Sequence, residues 1–237
     1  MRAVVLAGGK GTRLAPYTTI LPKPLMPIDG MPILEVMIRQ MKRYGIDDIT
    51  LTVGHLSYLL ESYFQDGSRY GVQIRYAHET VPLGTAGPLA GIDDLDDTFL
   101  VTNGDVLTTL DFKRLLEFHQ EHGAITTIAV KEREIKINLG VVHVNGRHEV
   151  EGYTEKPTMN FRVSMGIYVF EPKVLQYIPR GEYMDFPDLV HKLLDEGERV
   201  VGYPFDGYWK DLGNQQDYME AAEEFNLMRE EILGEGA

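Results

Sequence analysis

Apolar and polar positions change period along this chain, and the changes mark out its elements. Residues 2–7 are a valine-rich apolar run between Arg2 and Gly8-Gly9, which predicts a fully buried central strand. Residues 8–32 have no period and contain Pro16, Pro22, Pro24, Pro27 and Pro32. They read as a long loop, and loops of that length inside a compact domain are usually functional. Apolar residues at 33, 34, 37, 38 and 41 share one helical face that ends at Gly45. Further on, the pattern predicts a strand over 49–53, a helix over 56–64, a strand over 72–78 and a short helical piece over 85–91. Residues 99–102 read as a strand running into Asn103-Gly104-Asp105, residues 111–122 as a helix and 124–130 as a strand. Strand alternating with helix up to residue 130 predicts a three-layer α/β architecture around a parallel sheet.

Beyond 130 the rhythm is different. Glu132, Arg133, Glu134 and Lys136 read as a charged connector. Residues 139–144 and 149–155 read as a strand pair joined by Asn145-Gly146-Arg147, because Asn-Gly favours a two-residue hairpin turn. A strand over 163–170, a helical turn over 173–178, a helix over 186–195 and a strand over 199–203 follow. Residues 214–233 read as a long terminal helix before a Gly-rich tail. No repeat or low-complexity linker interrupts the pattern. The expectation is one domain over 1–237, with halves 1–130 and 131–213 and a C-terminal helical segment 214–237, in which later strands make the sheet mixed.

Composition narrows the chemistry. A chain of 237 residues buries a substantial core. Its 23 Lys+Arg against 36 Asp+Glu give a net charge of −13. That balance argues against non-specific nucleic-acid binding and against anionic membrane surfaces. Any phosphate must therefore be held by a few placed cations, by backbone amides or by metal. With no cysteine there is neither a disulfide nor a thiolate metal site. No apolar run reaches membrane-spanning length, and residues 2–7 are too short for the core of a signal peptide, so a cytoplasmic protein is expected.

The candidate chemistry begins in Leu6–Leu14, LAGGKGTRL. Glycines after a buried strand let backbone approach a ligand, and successive N–H groups form an anion nest. Thr12 and Arg13 add a hydroxyl and a forked cation suited to phosphate oxygens. Neither common nucleotide fingerprint is met: Leu14 stands where GxGxxG needs glycine, and Val4 where a Walker A loop does. In Leu21–Leu25, LPKPL, prolines on both sides hold Lys23 in a stiff, extended segment. Asp105 follows an apolar strand at its carboxyl end, where open α/β sheets bind ligands. Asp211 lies in a Gly- and aromatic-rich turn. Two such carboxylates brought together around phosphates suit Mg²⁺. His55, His119, His122 and His191 have no ligand spacing and read as surface or helix-end residues, and Trp209 reads as packing.

GGKGTRL, PKP, PLGTAGPL (Pro82–Leu89), NGD (Asn103–Asp105), EKP (Glu155–Pro157) and YWKDLGNQQDY (Tyr208–Tyr218) occur in one order. On these stretches the chain resembles the sugar-1-phosphate nucleotidyltransferases, the nucleotide-sugar pyrophosphorylases, from residue 1 to about 225. Pro82–Leu89 is most similar to the GDP-mannose pyrophosphorylases. The resemblance implies a Rossmann-like, glycosyltransferase-A-like three-layer sandwich with a mostly parallel mixed central sheet. It implies a reaction between a nucleoside triphosphate and a sugar 1-phosphate that yields a nucleotide-sugar and pyrophosphate. It implies a nucleotide site at Leu6, Ala7, Gly8, Gly9, Gly11, Thr12, Arg13, Lys23, Glu79, Pro82, Gly84 and Thr85, with Arg13, Lys23 and Asp105 catalytic. The sugar phosphate would lie against Asn103, Gly140, Glu155, Lys156, Ser164 and Gly166, and Mg²⁺ against Asp105 and Asp211. Many relatives carry Asn-Ala-Gly where this chain has Ser164-Met165-Gly166, so the sugar's hydroxyl pattern is expected to differ from mannose.

Glu79 points to GTP, because a carboxylate accepts from the N1–H and amine of guanine. The same reaction with dTTP, UTP, CTP or ATP is the alternative. Choline-phosphate cytidylyltransferases share the N-terminal signature, but Glu155-Lys156-Pro157 favours a sugar phosphate. A glycosyltransferase would be expected to show Asp-x-Asp where this chain has Asn103-Gly104-Asp105, and a non-catalytic nucleotide-sugar sensor would not need all of Arg13, Lys23, Asp105, Lys156 and Asp211. No β-helix domain is expected, and a homo-oligomer, such as a dimer, is expected to use the catalytic domain itself.

Overall fold

The computed structural model describes residues 1–234. In the first half β1 (Arg2–Leu6) leads into the long loop, which closes on the short pair β2 (Pro27–Ile28) and β3 (Met31–Pro32). Then come α1 (Ile33–Arg43), β4 (Asp48–Val53), α2 (Ser57–Phe64), β5 (Gln73–His78), β6 (Phe99–Asn103), β7 (Val106–Thr108) and α3 (Phe112–His122). The second half holds β8 (Thr126–Lys136), β9 (Val141–Val144), β10 (Val150–Thr154), β11 (Thr158–Phe170), α4 (Phe186–Asp195), β12 (Val200–Pro204), β13 (Trp209–Asp211) and α5 (Gln215–Leu233). The tail expected after Leu233 lies, from residue 235 on, outside the described residues. No described helix is long and apolar enough to cross a membrane.

Seven strands form one sheet in the order β12-β8-β11-β6-β1-β4-β5. β5, β4, β1 and β6 are parallel, β11 runs antiparallel to both β6 and β8, and β12 is parallel to β8. This is the mostly parallel mixed sheet expected. Alternation along β1 divides the core: Ala3 and Val5 face α1, α2 and α3, while Val4 faces the layer built on Phe186, Leu189 and Leu193 of α4.

A third cluster fixes the long loop. Leu14, Met26 and Ile28 pack with Ile33 and Val36 of α1 and with Ala221, Phe225 and Ile232 of α5. The terminal helix thus holds the loop against the sheet. Lys210 clamps that helix from inside: its Nζ donates to Glu220 at 2.8 Å and to both Glu224 oxygens at 3.0 Å, and the Tyr208 hydroxyl donates to Glu224 at 2.9 Å. Lys210→Ala leaves two carboxylates facing each other without their cation. Both are partly exposed, at 46% and 42%, so solvent screens them and the expected loss is a modest fall in the unfolding midpoint, below that of a fully buried pair. Urea unfolding measures it, and an unchanged midpoint would show that α5 needs no such clamp.

Several elements differ from the sequence reading. The charged segment Glu132–Lys136 is no connector: it continues β8, paired with residues 158–162 of β11. The β9–β10 turn is wider than two residues, because Asn145 N–H bonds Glu149 at 3.1 Å and its side-chain oxygen accepts from Arg147 and Glu149 amides. The left-handed position falls on His148 (φ 63°), so an Asx turn has displaced the Asn-Gly turn. His119 is not at the surface: it is 1% exposed, between Thr127 and Glu171. Lys23 opens a 3-10 turn, Lys23–Leu25, rather than lying in extended chain, and is buried.

Candidate active site

The carboxyl ends of β1, β4, β5 and β6 converge on one edge of the sheet. β1 delivers Leu6, Ala7, Gly8 and Gly9, and β6 delivers Asn103 beside Leu6. Gly104 N–H bonds the Leu6 carbonyl at 2.9 Å, which fixes the Asn103–Asp105 turn against the glycine loop. Gly8 is squeezed between two neighbours. A Cβ there would lie 2.5 Å from Glu79 Oε1 and 3.5 Å from the Gly54 amide. Glu79 therefore leans on the glycine loop, where its other oxygen accepts from Leu83 N–H at 3.2 Å. Burial pushes the Glu79 carboxyl above its ordinary range, and the Leu83 amide only partly offsets that. Gly11 needs to be glycine: its φ is 60°, and a Cβ would meet Thr18 at 2.9 Å and Lys23 at 3.3 Å.

Thr12, Arg13 and Leu14 form a 3-10 turn whose Leu14 is buried, which leaves Thr12 and Arg13 exposed. The Lys23 ammonium forms an ion pair with Asp105. A pairing that the sequence pattern missed brings in Asp211. It ends a short strand, β13, whose register sets Asp211 opposite Val106, and Leu212 N–H bonds the Asp105 carbonyl at 3.0 Å. The Asp211 carboxyl is raised by burial and then by the Asp105 charge, with Lys23 and Arg13 pulling the other way. Arg13 reaches the same point: a Cβ on Gly213 would lie 3.2 Å from Arg13 Nη1 and 3.3 Å from Asp211 Oδ2. Arg13, Lys23, Asp105 and Asp211 thus gather from four separate stretches of chain.

Two facing carboxylates, one of them raised by the other's charge, suit a hard divalent cation. Among the described residues, no group of three or more His, Asp or Glu is placed to hold a metal ion. Mg²⁺ commonly takes one or two carboxylates and completes its shell with phosphate oxygens and water.

The other sequence candidates lie in two further places. Gly84 and Thr85 are built into the base of α4: Thr85 N–H and its hydroxyl donate to Asp185 at 2.9 and 3.1 Å, and Phe186 N–H donates back at 2.8 Å. Pro82 is exposed on the loop between them and Glu79. Around β11, Gly166 adopts φ 71°, and a Cβ there would strike Asn103 Nδ2 at 2.5 Å. Ser164 Oγ accepts from Gly166 N–H at 3.3 Å and shares a hydrogen bond with Tyr168 at 3.0 Å, beside the β11 bulge between Ser164 and Tyr168. Trp209 Nε1–H ties that bulge to β13 by bonding the Met165 carbonyl at 2.9 Å. Glu155 accepts from the Tyr153 hydroxyl at 3.1 Å, Tyr153 presses on Gly140, and Lys156 pairs with Glu155 at 3.6 Å. Among the described residues, no hydrogen bond or ion pair joins Glu155 or Lys156 to the Arg13–Lys23–Asp105–Asp211 group. Gly54, beneath Gly8, went unread in the sequence, because a lone glycine after a strand carries no signal by itself.

The model of the nucleotidyl transferase family matches residues 2–226. The chain is 39% identical over 241 residues to a UTP–glucose-1-phosphate uridylyltransferase of Synechocystis, an alignment that covers 93% of this chain and 62% of that protein. It is 35% identical over 228 residues to a mannose-1-phosphate guanylyltransferase of Mycobacterium tuberculosis, covering 93% and 63%. The chain thus spans less than two thirds of the length of these curated relatives. The crystal structure of HddC from Yersinia pseudotuberculosis complexed with GMP-PN superposes with a TM-score of 0.72 at 25% identity, covering 94% of this chain and 99% of that one.

Proposed function

This chain belongs to the nucleotidyl transferase family, and from that membership we propose that it joins a nucleoside triphosphate to a sugar 1-phosphate, forming a nucleotide-sugar and releasing pyrophosphate. The observation that carries the reading is the convergence of two cations and two carboxylates, Arg13, Lys23, Asp105 and Asp211, beside the glycine loop. In the reaction an oxygen of the sugar phosphate attacks the α-phosphorus. The new P–O bond forms as the bond to the β-phosphate oxygen breaks, and pyrophosphate leaves with that electron pair. The nucleophile is already an anion, so catalysis reduces to holding two polyanions in line and stabilising charge.

Gly8, Gly9 and Gly11 cradle the nucleotide with backbone amides, helped by Leu6, Ala7 and Thr12. Arg13 takes the β- and γ-phosphates and then the departing pyrophosphate. Lys23 exchanges Asp105 for the α-phosphate when nucleotide enters. Asp105 and Asp211 would hold Mg²⁺, which supplies charge neutralisation between phosphate oxygens. Residues 131–213 supply the sugar side: Lys156 positions the attacking phosphate and Glu155 accepts from a sugar hydroxyl. Asn103, Gly140, Ser164 and Gly166 line the remainder, and Pro82, Gly84 and Thr85 frame the base.

Glu79 makes GTP the favoured nucleotide. An ionised carboxylate at the base loop accepts two hydrogen bonds from guanine, whereas uracil and thymine present one donor flanked by acceptors. One relative is a guanylyltransferase, and a fold neighbour was solved with GMP-PN; another relative is a uridylyltransferase, so UTP and dTTP are the competing substrates. Glu79→Gln is expected to lower kcat/KM for GTP by about 10–100-fold, the loss of a charge-assisted pair of hydrogen bonds. Acid protonates Glu79 at a higher pH than an ordinary carboxylate, because its pKa is raised. The wild-type preference for GTP over UTP therefore weakens as pH falls through that pKa, while Glu79→Gln shows no such slope. Unchanged GTP efficiency in the variant would remove Glu79 from base recognition.

The test of the reaction is pyrophosphate release with Mg²⁺, offering five nucleoside triphosphates against the 1-phosphates of mannose, glucose, galactose and N-acetylglucosamine. GTP turnover with one sugar is expected. Turnover with UTP or dTTP keeps the reaction and discards guanine. Silence across the panel with nucleotide binding intact by calorimetry points to a sugar 1-phosphate outside the panel, whereas silence without nucleotide binding overturns the reading.

A further inference from the structure

Beyond Val130 and Ser164 the strands β8 and β11 leave the sheet. Neither β12, which reaches only Val130 along β8, nor β6, which meets β11 from Ile167, flanks them there. They run on as a two-stranded ribbon that β9 and β10 extend, with Ile137 N–H bonding the Pro157 carbonyl at 3.0 Å across the junction. The ribbon's base is held by the segment before β13: Lys131 Nζ donates to the Asp206 carbonyl at 3.1 Å and to the Gly207 carbonyl at 2.6 Å, and Arg133 lies over Trp209. An isolated two-stranded ribbon is marginal in water.

One face of its outer part is apolar. Register sets Val142 opposite Tyr153 and Val144 opposite Val150, so all four side chains share a face, at 47%, 64%, 53% and 67% exposure. Along the inner part, exposed Ile135 stands opposite exposed Met159, with Phe161 on the same face. A standard interface takes ~800 Å² from each partner, so a stable pair of arms would draw on both the outer and the inner groups.

We propose that this arm is the self-association face of the protein, and that its occupant is the same arm of a second copy in a two-fold dimer. Charge decides the occupant. The chain carries −13 overall, yet residues 131–164 hold six Lys/Arg against five Glu. Two copies meeting through the rest of the surface set like charge against like charge, whereas two arms meet nearly neutral. A basic partner would be drawn to the acidic body instead. A two-fold contact also buries the same apolar face on both sides, as isologous interfaces do.

Sedimentation velocity on the full chain tests this. Wild type is expected to be dimeric at micromolar concentration. Val144→Lys combined with Val150→Glu keeps an opposite-charge pair across the hairpin while removing its apolar face, and is expected to weaken association at least about 100-fold. A tetramer that the double variant reduces to dimers supports the arm equally. Hydrogen exchange of wild-type amides 141–154 is expected to slow with rising concentration, and it decides alone should the variant fail to fold. A wild type that stays monomeric up to about 100 μM, with arm exchange independent of concentration, leaves the face to a different protein and overturns the dimer. So does a double variant that associates as tightly as wild type.

Discussion

Arg13→Ala is expected to lower kcat/KM for pyrophosphate release by at least about 100-fold, the cost of one preorganised charge-stabilising group. Arg13 sits in an exposed turn held by buried Leu14, so its loss leaves the turn intact, and thermal unfolding should show a midpoint near that of wild type. The expected defect lies mainly in kcat, because charge on pyrophosphate grows as the bond to the α-phosphorus breaks. Lysine in its place is expected to recover only part of the rate: a single ammonium keeps the charge but lacks the guanidinium fork that spans two phosphate oxygens. Near-normal turnover of Arg13→Ala in steady-state assays would remove this residue from the reaction.

The second large effect is expected at Asp211. Asp211→Asn keeps the shape of the strand end and removes a carboxylate, and it too should cost at least about 100-fold in rate. Stability should move the opposite way. In the metal-free protein, burial and the Asp105 charge raise the Asp211 carboxyl above its unfolded value. Its contribution to stability is therefore full below the unfolded pKa and is lost as pH rises through the folded one, leaving wild type penalised at neutral pH. Asparagine carries no such penalty, so without metal the variant should melt above wild type at pH 7, and the gap should close in acid, where Asp211 is neutral too. Adding Mg²⁺ with nucleotide should raise the wild-type midpoint and leave the variant's nearly unmoved. Calorimetry at two pH values, with and without chelator, reads all of this. A variant stabilised by Mg²⁺ as strongly as wild type would place the metal elsewhere.

Both predictions depend on residues that were legible at very different levels. Gly8, Gly9, Gly11 and Arg13 stand within six positions, so their chemistry reads directly from the sequence. Asp105 follows a strand of clear apolar pattern and could be placed at a sheet edge. Asp211 could be named as a candidate, but the strand that carries it could not: β13 and its partner β7 are three residues each, too short for a period of two to register. Trp209 was read as packing, and it is also the donor that fastens the β11 bulge. The hydroxyl of Thr85 is also engaged with Asp185 and Phe186, a contact 100 residues away in sequence that no local pattern signals. His119 was read as a surface or helix-end residue, and it is Thr127 and Glu171 that satisfy it inside the protein.

By itself the sequence determined what depends on neighbours a few residues apart. The long helices α1, α3, α4 and α5, the buried strand β1, the irregular loop after it and the cations within that loop all follow from period, glycine and proline. Only the tertiary structure decided what depends on pairing across the chain. It set Lys23 on Asp105, brought Asp211 and Arg13 to the same point, leaned Glu79 on Gly8 and carried β8 and β11 outward as an arm. The physical reason is range: backbone geometry imposes local periods on side chains, whereas a site is closed by hydrogen bonds and charges between distant residues, 82 apart for Lys23 and Asp105, that leave no trace in any short window.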